Sequence, residues 1–277
     1  MKIIISHDVD HLTVWEHKKD LIIPKFIIRS LIEVGTGIIS LKQLYLRFRD
    51  FIKNRWNNIE ELMCFNKENN IPATFFFGVN KGIGLSYSKE LAQNYIRLVV
   101  RNKFDVGVHG IEFNNFKAMK TEFEDFKKIS GLNKFGIRMH YLRVSKETLN
   151  YLDKIGYLFD SSTYEKRNPY KINRMWEFPL HIMDGFIILG EKRWQTSNLE
   201  KALDKTKCLI EKLYNDGIEY FTILFHDRYF SDSFITWKKW YIKTVNFLKD
   251  NKFEFVSYKQ AIRELESKQK NTNHIPK

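Results

Sequence analysis

A chain of 277 residues that is 43% apolar, with 46 basic and 33 acidic side chains and a net charge of +13, is long enough to fill a large core and too apolar to be disordered. Its two cysteines, Cys64 and Cys208, show no metal-type spacing and supply no disulfide framework, so a reducing compartment fits. The positive charge calls for an anionic partner, yet the basic residues are spread along the chain with no arginine-rich block, which argues against specific nucleic-acid recognition.

The first apolar run, residues 2–6, reads as a strand that opens onto Ser6-His7-Asp8-Val9-Asp10-His11. Carboxylates two apart on an extended chain face the same side, so Asp8 and Asp10 can address one cation or one water while His7 points the other way, into the wall. The plain alternative for this hexapeptide is a polar loop that caps a following helix. Residues 12–57 then carry nine basic and four acidic side chains interleaved with Ile, Leu, Phe and Trp, which reads as an insertion of amphipathic helices after the first strand. Ordinary surface helices packed on the domain are the first reading of it; a lid, or a surface that touches an anionic membrane from the side, are the others. No apolar signal core precedes the first acidic residue, and residues 21–39 are broken by Pro24, Lys25, Arg29 and Glu33, so a cytoplasmic protein without a spanning helix is expected.

Further strands are expected at residues 73–79, 104–109, 135–139, 157–161, 176–189, 220–225 and 253–257, with 176–189 as a hairpin turning at Asp184-Gly185. Helices are expected at 88–102, 117–129, 146–155, 198–214 and 236–250, the fourth marked by an apolar stripe from Leu199 to Leu213. Such alternation favours a mainly parallel α/β sheet or barrel, and about eight strands is the number that closes a small barrel. With no linker or repeat, residues 1–265 read as one domain and the polar residues 266–277 as a flexible tail.

Chemistry-bearing residues fall at the ends of these strands: Asp8 and Asp10, then His109, then Arg138, His140 and Tyr141, then Asp160, then His226 and Asp227. In a barrel of parallel strands those ends converge on one face, where active sites are built.

In this order the motifs resemble the polysaccharide deacetylase family, also called the NodB-homology or carbohydrate esterase 4 family. Asp8-Val9-Asp10 is similar to its Asp-x-Asp motif, and Pro72-Ala73-Thr74-Phe75-Phe76-Phe77 to its second strand. Val106-Gly107-Val108-His109-Gly110 resembles the histidine motif and Arg138-Met139-His140-Tyr141 the Arg-x-Pro-Tyr motif. Asp160-Ser161-Ser162 resembles the fourth motif and Ile223-Leu224-Phe225-His226 the fifth. The resemblance implies a distorted (β/α)7-type barrel, a TIM-like architecture, that hydrolyses the N-acyl group of an amino sugar with a divalent metal, zinc first. It implies Asp8 as base paired with Arg138, Asp10 and His109 as metal ligands, the backbone N–H of Tyr141 as oxyanion donor, and His226 as the acid that protonates the leaving amine.

The chain departs from that pattern at one place. The family pairs two histidines four apart, but four residues after His109 stands Phe113, which binds no metal. His140, in the place of the motif's proline, is the first candidate for the missing ligand, with His11 and Glu112 next; the plain reading of His140 is a strand-end imidazole bonded to backbone. The expected activity is therefore a metal-dependent deacetylase acting on a carbohydrate precursor, nucleotide- or lipid-linked, whose phosphate suits the basic surface. A metal-free barrel that binds glycan without hydrolysis is the rival, and a metal-independent hydrolase using Asp8 and His226 the third reading. Asp184 is read first as a hairpin-turn residue, with reach into the cup as the alternative, and Tyr164, Trp176, Trp194 and Tyr229 as core or rim, with stacking on a sugar as the alternative.

Overall fold

The structure is a computed structural model that describes residues 1–272. Its centre is a curled, almost wholly parallel sheet. The strands are β1 (Lys2–Val9), β2 (Thr74–Phe77), β3 (Asp105–Gly110), β4 (Ile137–Met139), β5 (Phe159–Asp160), β6 (Tyr170–Ile172), β7 (Met175–Glu177), β8 (Ile182–Met183), β9 (Tyr220–Leu224) and β10 (Glu254–Phe255). The order across the sheet is β6-β7-β5-β4-β3-β2-β1-β9-β8, with β10 beside the first half of β1. Only the β6–β7 pair is antiparallel. β1 and β2 are buried along nearly their whole length, as continuous Ile and Phe runs must be when helices cover one face and a packed interior the other. Residues 178–181 bridge the two ends of the sheet: Phe178 N–H donates to Asp160, Leu180 N–H to Thr163 and His181 N–H to Thr222. The result is the distorted (β/α) barrel expected, with the insertion between β1 and β2.

The covering helices are α1 (Ile22–Gly35), α2 (Leu41–Ile52), α3 (Ile59–Glu68), α4 (Lys89–Arg101), α5 (Phe116–Ser130), α6 (Thr148–Ile155), α7 (Asp184–Ile188), α8 (Leu199–Asn215), α9 (Ile235–Asp250) and α10 (Tyr258–Thr272). Their starts are encoded locally: the side chains of Ser40, Ser88, Asn115 and Asn198 each accept a first-turn N–H, satisfying donors that the helix leaves orphaned. α1 and α2 form the insertion; a buried ion pair, Arg47 Nη1 to Glu33 Oε2 at 2.6 Å, ties them to each other, and Arg47 Nε donating to the Ser233 carbonyl ties them to the barrel.

Three expectations need correction. Residues 176–189 are not a hairpin; they form β7, the bridging segment, β8 and then α7, because the chain must cross from β5 to β9 and Asp184 opens a helical turn there. β6 was not expected, since it is a half-exposed antiparallel strand of three residues. Helix α10 runs to Thr272, past the residue 265 boundary; Tyr258, Ala261, Ile262 and Leu265 anchor its first turns, packing at helical spacing with Ile4, Phe76 and Phe159 in the barrel interior. Residues 273–277 of the expected tail lie outside the described residues.

Candidate active site

The C-terminal strand ends converge on a cavity of about 470 Å³ lined by Asp8, Asp10, His109, Tyr141, Asp184 and His226, with His140 and the rings of Tyr164, Tyr229 and Trp237. At its floor stand Asp10, His109 and His140. Asp10 Oδ1 lies 3.1 Å from His109 Nε2 and 3.3 Å from His140 Nδ1, and the two ring nitrogens are 3.0 Å apart.

The protonation of the two rings is set from behind. His109 Nδ1 lies 3.0 Å from the Arg138 carbonyl and His140 Nε2 lies 2.9 Å from the Ile83 carbonyl; a carbonyl only accepts, so both outer nitrogens carry the proton. The inner nitrogens of two neutral imidazoles then present lone pairs to each other at 3.0 Å. That contact is repulsive unless a cation or an extra proton sits between them. Ligand atoms around a tetrahedral zinc stand about 3.4 Å apart, given bonds of about 2.0–2.2 Å, close to the three distances here. The Asp10–His109–His140 cluster thus fits a divalent cation, with its outer hydrogen bonds supplying the orientation that such ligands need. Burial pushes the Asp10 carboxyl up, but the imidazoles of His140, His109 and His226 outweigh it and hold Asp10 well below the usual carboxylate range. Burial likewise opposes charge on His109, and Asp8 and Asp10 overcome it to raise that imidazole.

On one side of the cluster, Asp8 Oδ1 accepts from Arg138 Nη1 at 3.0 Å, and Asp8 Oδ2 lies 3.8 Å from His109 Nε2. Arg138 is fully buried and wholly engaged: Nε donates to the Ser161 carbonyl, and Nη2 to Ser161 Oγ and Tyr258 Oη. On the other side, His226 Nε2 lies 3.6 Å from Asp10 Oδ2 while its Nδ1 donates to Asp184 Oδ1 at 2.8 Å. Burial works against an imidazolium there, but Asp184, and after it Asp10 and Asp8, raise His226 well above the ordinary imidazole range. Tyr141 and Leu142 follow β4 with φ of 58° and 52°, left-handed backbone that side-chain-bearing residues adopt at a cost. This turn places Tyr141 at the rim.

The strand-end residues therefore gather largely as read. His7 faces the wall, as expected: Nδ1 donates to the Phe225 carbonyl, Nε2 accepts from Asn66, and Tyr241 Oη donates to Asn66 Oδ1. Phe113 packs on the core beside Arg143, outside the cup. His11 turns to His17, 2.8 Å away. Asp160 lies behind Arg138, bonded to Ser162, and Asp227 turns to the Asn58 N–H. Asp184 is not a turn residue but a fully buried partner of His226; its position depends on the path of 178–183, which local sequence does not reveal. Trp176 is core, whereas Tyr164 and Tyr229 are at the cavity.

A curled parallel sheet carrying two carboxylates at the end of its first strand has the polysaccharide deacetylase fold. Among solved structures, one described as a polysaccharide deacetylase of Mycobacterium smegmatis superposes with a TM-score of 0.66 at 14% identity, covering 97% of this chain and 91% of that one. One so described from Pseudomonas aeruginosa PAO1 gives 0.59 at 12% identity, covering 95% and 89%, and Puue allantoinase 0.59 at 11%, covering 95% and 88%. No protein-family model and no curated protein matches the sequence.

Proposed function

We propose that this chain is a divergent, metal-dependent member of the polysaccharide deacetylase family that removes an N-acyl group, acetyl first, from an amino sugar in glycan-precursor assembly on the cytoplasmic side of the membrane. The observation that carries the reading is the convergence of Asp10, His109 and His140 with outer nitrogens fixed on backbone carbonyls, between an Asp8–Arg138 pair and a His226–Asp184 pair. His140 takes the place that Phe113 leaves empty in the ligand set. Structures of deacetylases and of an allantoinase sharing the fold agree with hydrolysis of a carbon–nitrogen bond.

Asp10, His109 and His140 would hold the cation, zinc first, which when bound polarises the acyl oxygen and acidifies water. Asp8 is placed to take the proton of the attacking water through Oδ2, the oxygen that Arg138 leaves free. The Tyr141 backbone N–H, on its left-handed turn, is the donor for the acyl oxyanion. As the carbon–nitrogen bond breaks, His226 passes the proton on Nε2 to the departing amine, which would otherwise leave as a strongly basic anion; Asp184 keeps that imidazole charged and oriented.

The test offers N-acetylated sugar precursors to the protein supplied with zinc, cobalt or manganese while acetate and free amine are followed. Acetate release that is abolished by Asp8→Asn is expected. Glycan binding with no acetate released under any metal would leave the non-hydrolytic barrel as the function.

A further inference from the structure

Beside the cup lies a second cavity of about 360 Å³, roofed by α1 and reaching the loop that carries Arg193. Five cations line it, Lys25, Arg29, Arg47, Arg193 and Arg228, and no carboxylate does. Glu33, behind the wall, takes Arg29 Nε at 2.8 Å and Arg47 Nη1 at 2.6 Å, which neutralises one of the five charges. Arg228 is nine-tenths buried with no carboxylate partner among the described residues; its guanidinium lies 3.9 Å from the Trp56 ring centre. Arg29 Nη2, Arg47 Nη2 and Arg228 Nε are buried and have no hydrogen-bond acceptor. Burial pulls the Arg228 guanidinium down to about 10, and the charges of Arg29 and Arg47 add to it. Buried arginine nitrogens without acceptors are costly to keep, and a phosphate oxygen is the acceptor that their planar forks fit.

The cavity is not polar throughout. Phe26, Ile28, Ile32 and Trp194 complete its walls. Ile28, which lines the chamber, is 58% exposed, and further apolar side chains stand exposed on the two insertion helices, Leu21 and Leu31 on or beside α1 and Leu41, Tyr45 and Ile52 along α2. Tyr229, three residues after His226, lines both cavities and accepts from Arg29 Nη1.

We infer that this second cavity is a phosphate site for a lipid-linked sugar, in which the arginine cluster holds the phosphate, the lipid chain leaves along α1 and α2, and the sugar reaches past Tyr229 into the cup. This deepens the proposed deacetylase function and rests on it for the sugar alone; the phosphate site stands on the cavity's own residues.

The test is binding of farnesyl phosphate to the full chain by calorimetry, against farnesol, uridine diphosphate and inorganic pyrophosphate. Farnesyl phosphate is expected to bind saturably and at least tenfold more tightly than the others. Lys25→Glu combined with Arg193→Glu, both exposed and so compatible with folding, is expected to weaken it by about tenfold or more. Equal binding of farnesol, or no effect of the charge reversal, would overturn the phosphate site; tighter binding of uridine diphosphate would overturn the lipid assignment in favour of a nucleotide carrier. The measurement needs neither metal nor turnover, so binding without acetate release would sink the hydrolase alone. Rapid hydrolysis of a phosphate-free N-acetyl sugar, uninhibited by farnesyl phosphate, would sink the lipid-phosphate site alone.

Discussion

His226 and Asp184 are joined twice: the imidazole Nδ1 donates to Asp184 Oδ1 and the His226 backbone N–H to Asp184 Oδ2, each at 2.8 Å. One carboxylate thus fixes the ring's position, tautomer and charge together. Asp184→Asn keeps the size but removes the anion that raises His226. Deacetylation is expected to fall by about 10²–10⁴-fold, the usual worth of a general acid. Because the substitution lowers the pKa of His226, the limb of the kcat/KM profile where the acid loses its proton must move to lower pH. A slower enzyme whose limb stays in place would mean that Asp184 only supports the fold.

His140→Ala and His109→Ala each remove one of the three proposed ligands. Metal content measured by mass spectrometry is expected to drop from about one equivalent per chain to a small fraction, with acetate release lost in parallel, since three protein ligands are the usual minimum of a catalytic zinc site. Phe113→Ala should leave metal content unchanged, because Phe113 packs on the core outside the cluster. Full metal occupancy in His140→Ala would remove His140 from the ligand set.

Much of the barrel could be read from the chain because its long parallel strands are continuous apolar runs, such as Ile3–Ile5 and Phe75–Phe77, and because Asp8, Asp10, His109, His140 and His226 sit at or next to strand ends. The two-residue strand β8 holds no periodicity to read, whereas β10, equally short, lies in the apolar run expected at residues 253–257. For Asp184 the turn reading outranked reach into the cup because an Asp-Gly pair has the local chemistry of a turn, and only the crossing of residues 178–181 between β5 and β9 brings its carboxylate to His226. The apolar stripe of α10 was present in the sequence, but the charged residues between Glu264 and Lys270 masked it.

Arg138 and Asp8 form a buried pair whose members depend on each other. Arg138→Met leaves Asp8 buried without its cation and strands Ser161 and Tyr258 as well. Removing one partner of such a pair costs about 3–5 kcal/mol, which for a domain of this size lowers Tm by about 10 °C. Adding Asp8→Leu to Arg138→Met should restore part of that loss, because the uncompensated charge goes with it. Thermal unfolding of the two variants decides; strictly additive losses would mean that the pair is not coupled.

His7 makes the fold acid-sensitive apart from any catalysis. Burial lowers its pKa to about 3, with the Phe225 carbonyl only partly offsetting that, and its ring is fully satisfied as the neutral form between Phe225 and Asn66. In the unfolded chain a histidine takes up a proton near pH 6.5. Between pH 6.5 and about 3 the unfolded state therefore binds a proton that the native state refuses, and stability falls with pH by about 1.4 kcal/mol per unit for this one residue. His181, which burial lowers to about 4, adds in the same direction. Urea unfolding of wild type at pH 7.5 and 5.0 is expected to show this loss, and His7→Gln, which retains a donor for Phe225 and an acceptor for Asn66 but does not titrate, should start less stable and lose less on acidification. If both proteins lose the same stability between the two pH values, His7 is not the proton-refusing group.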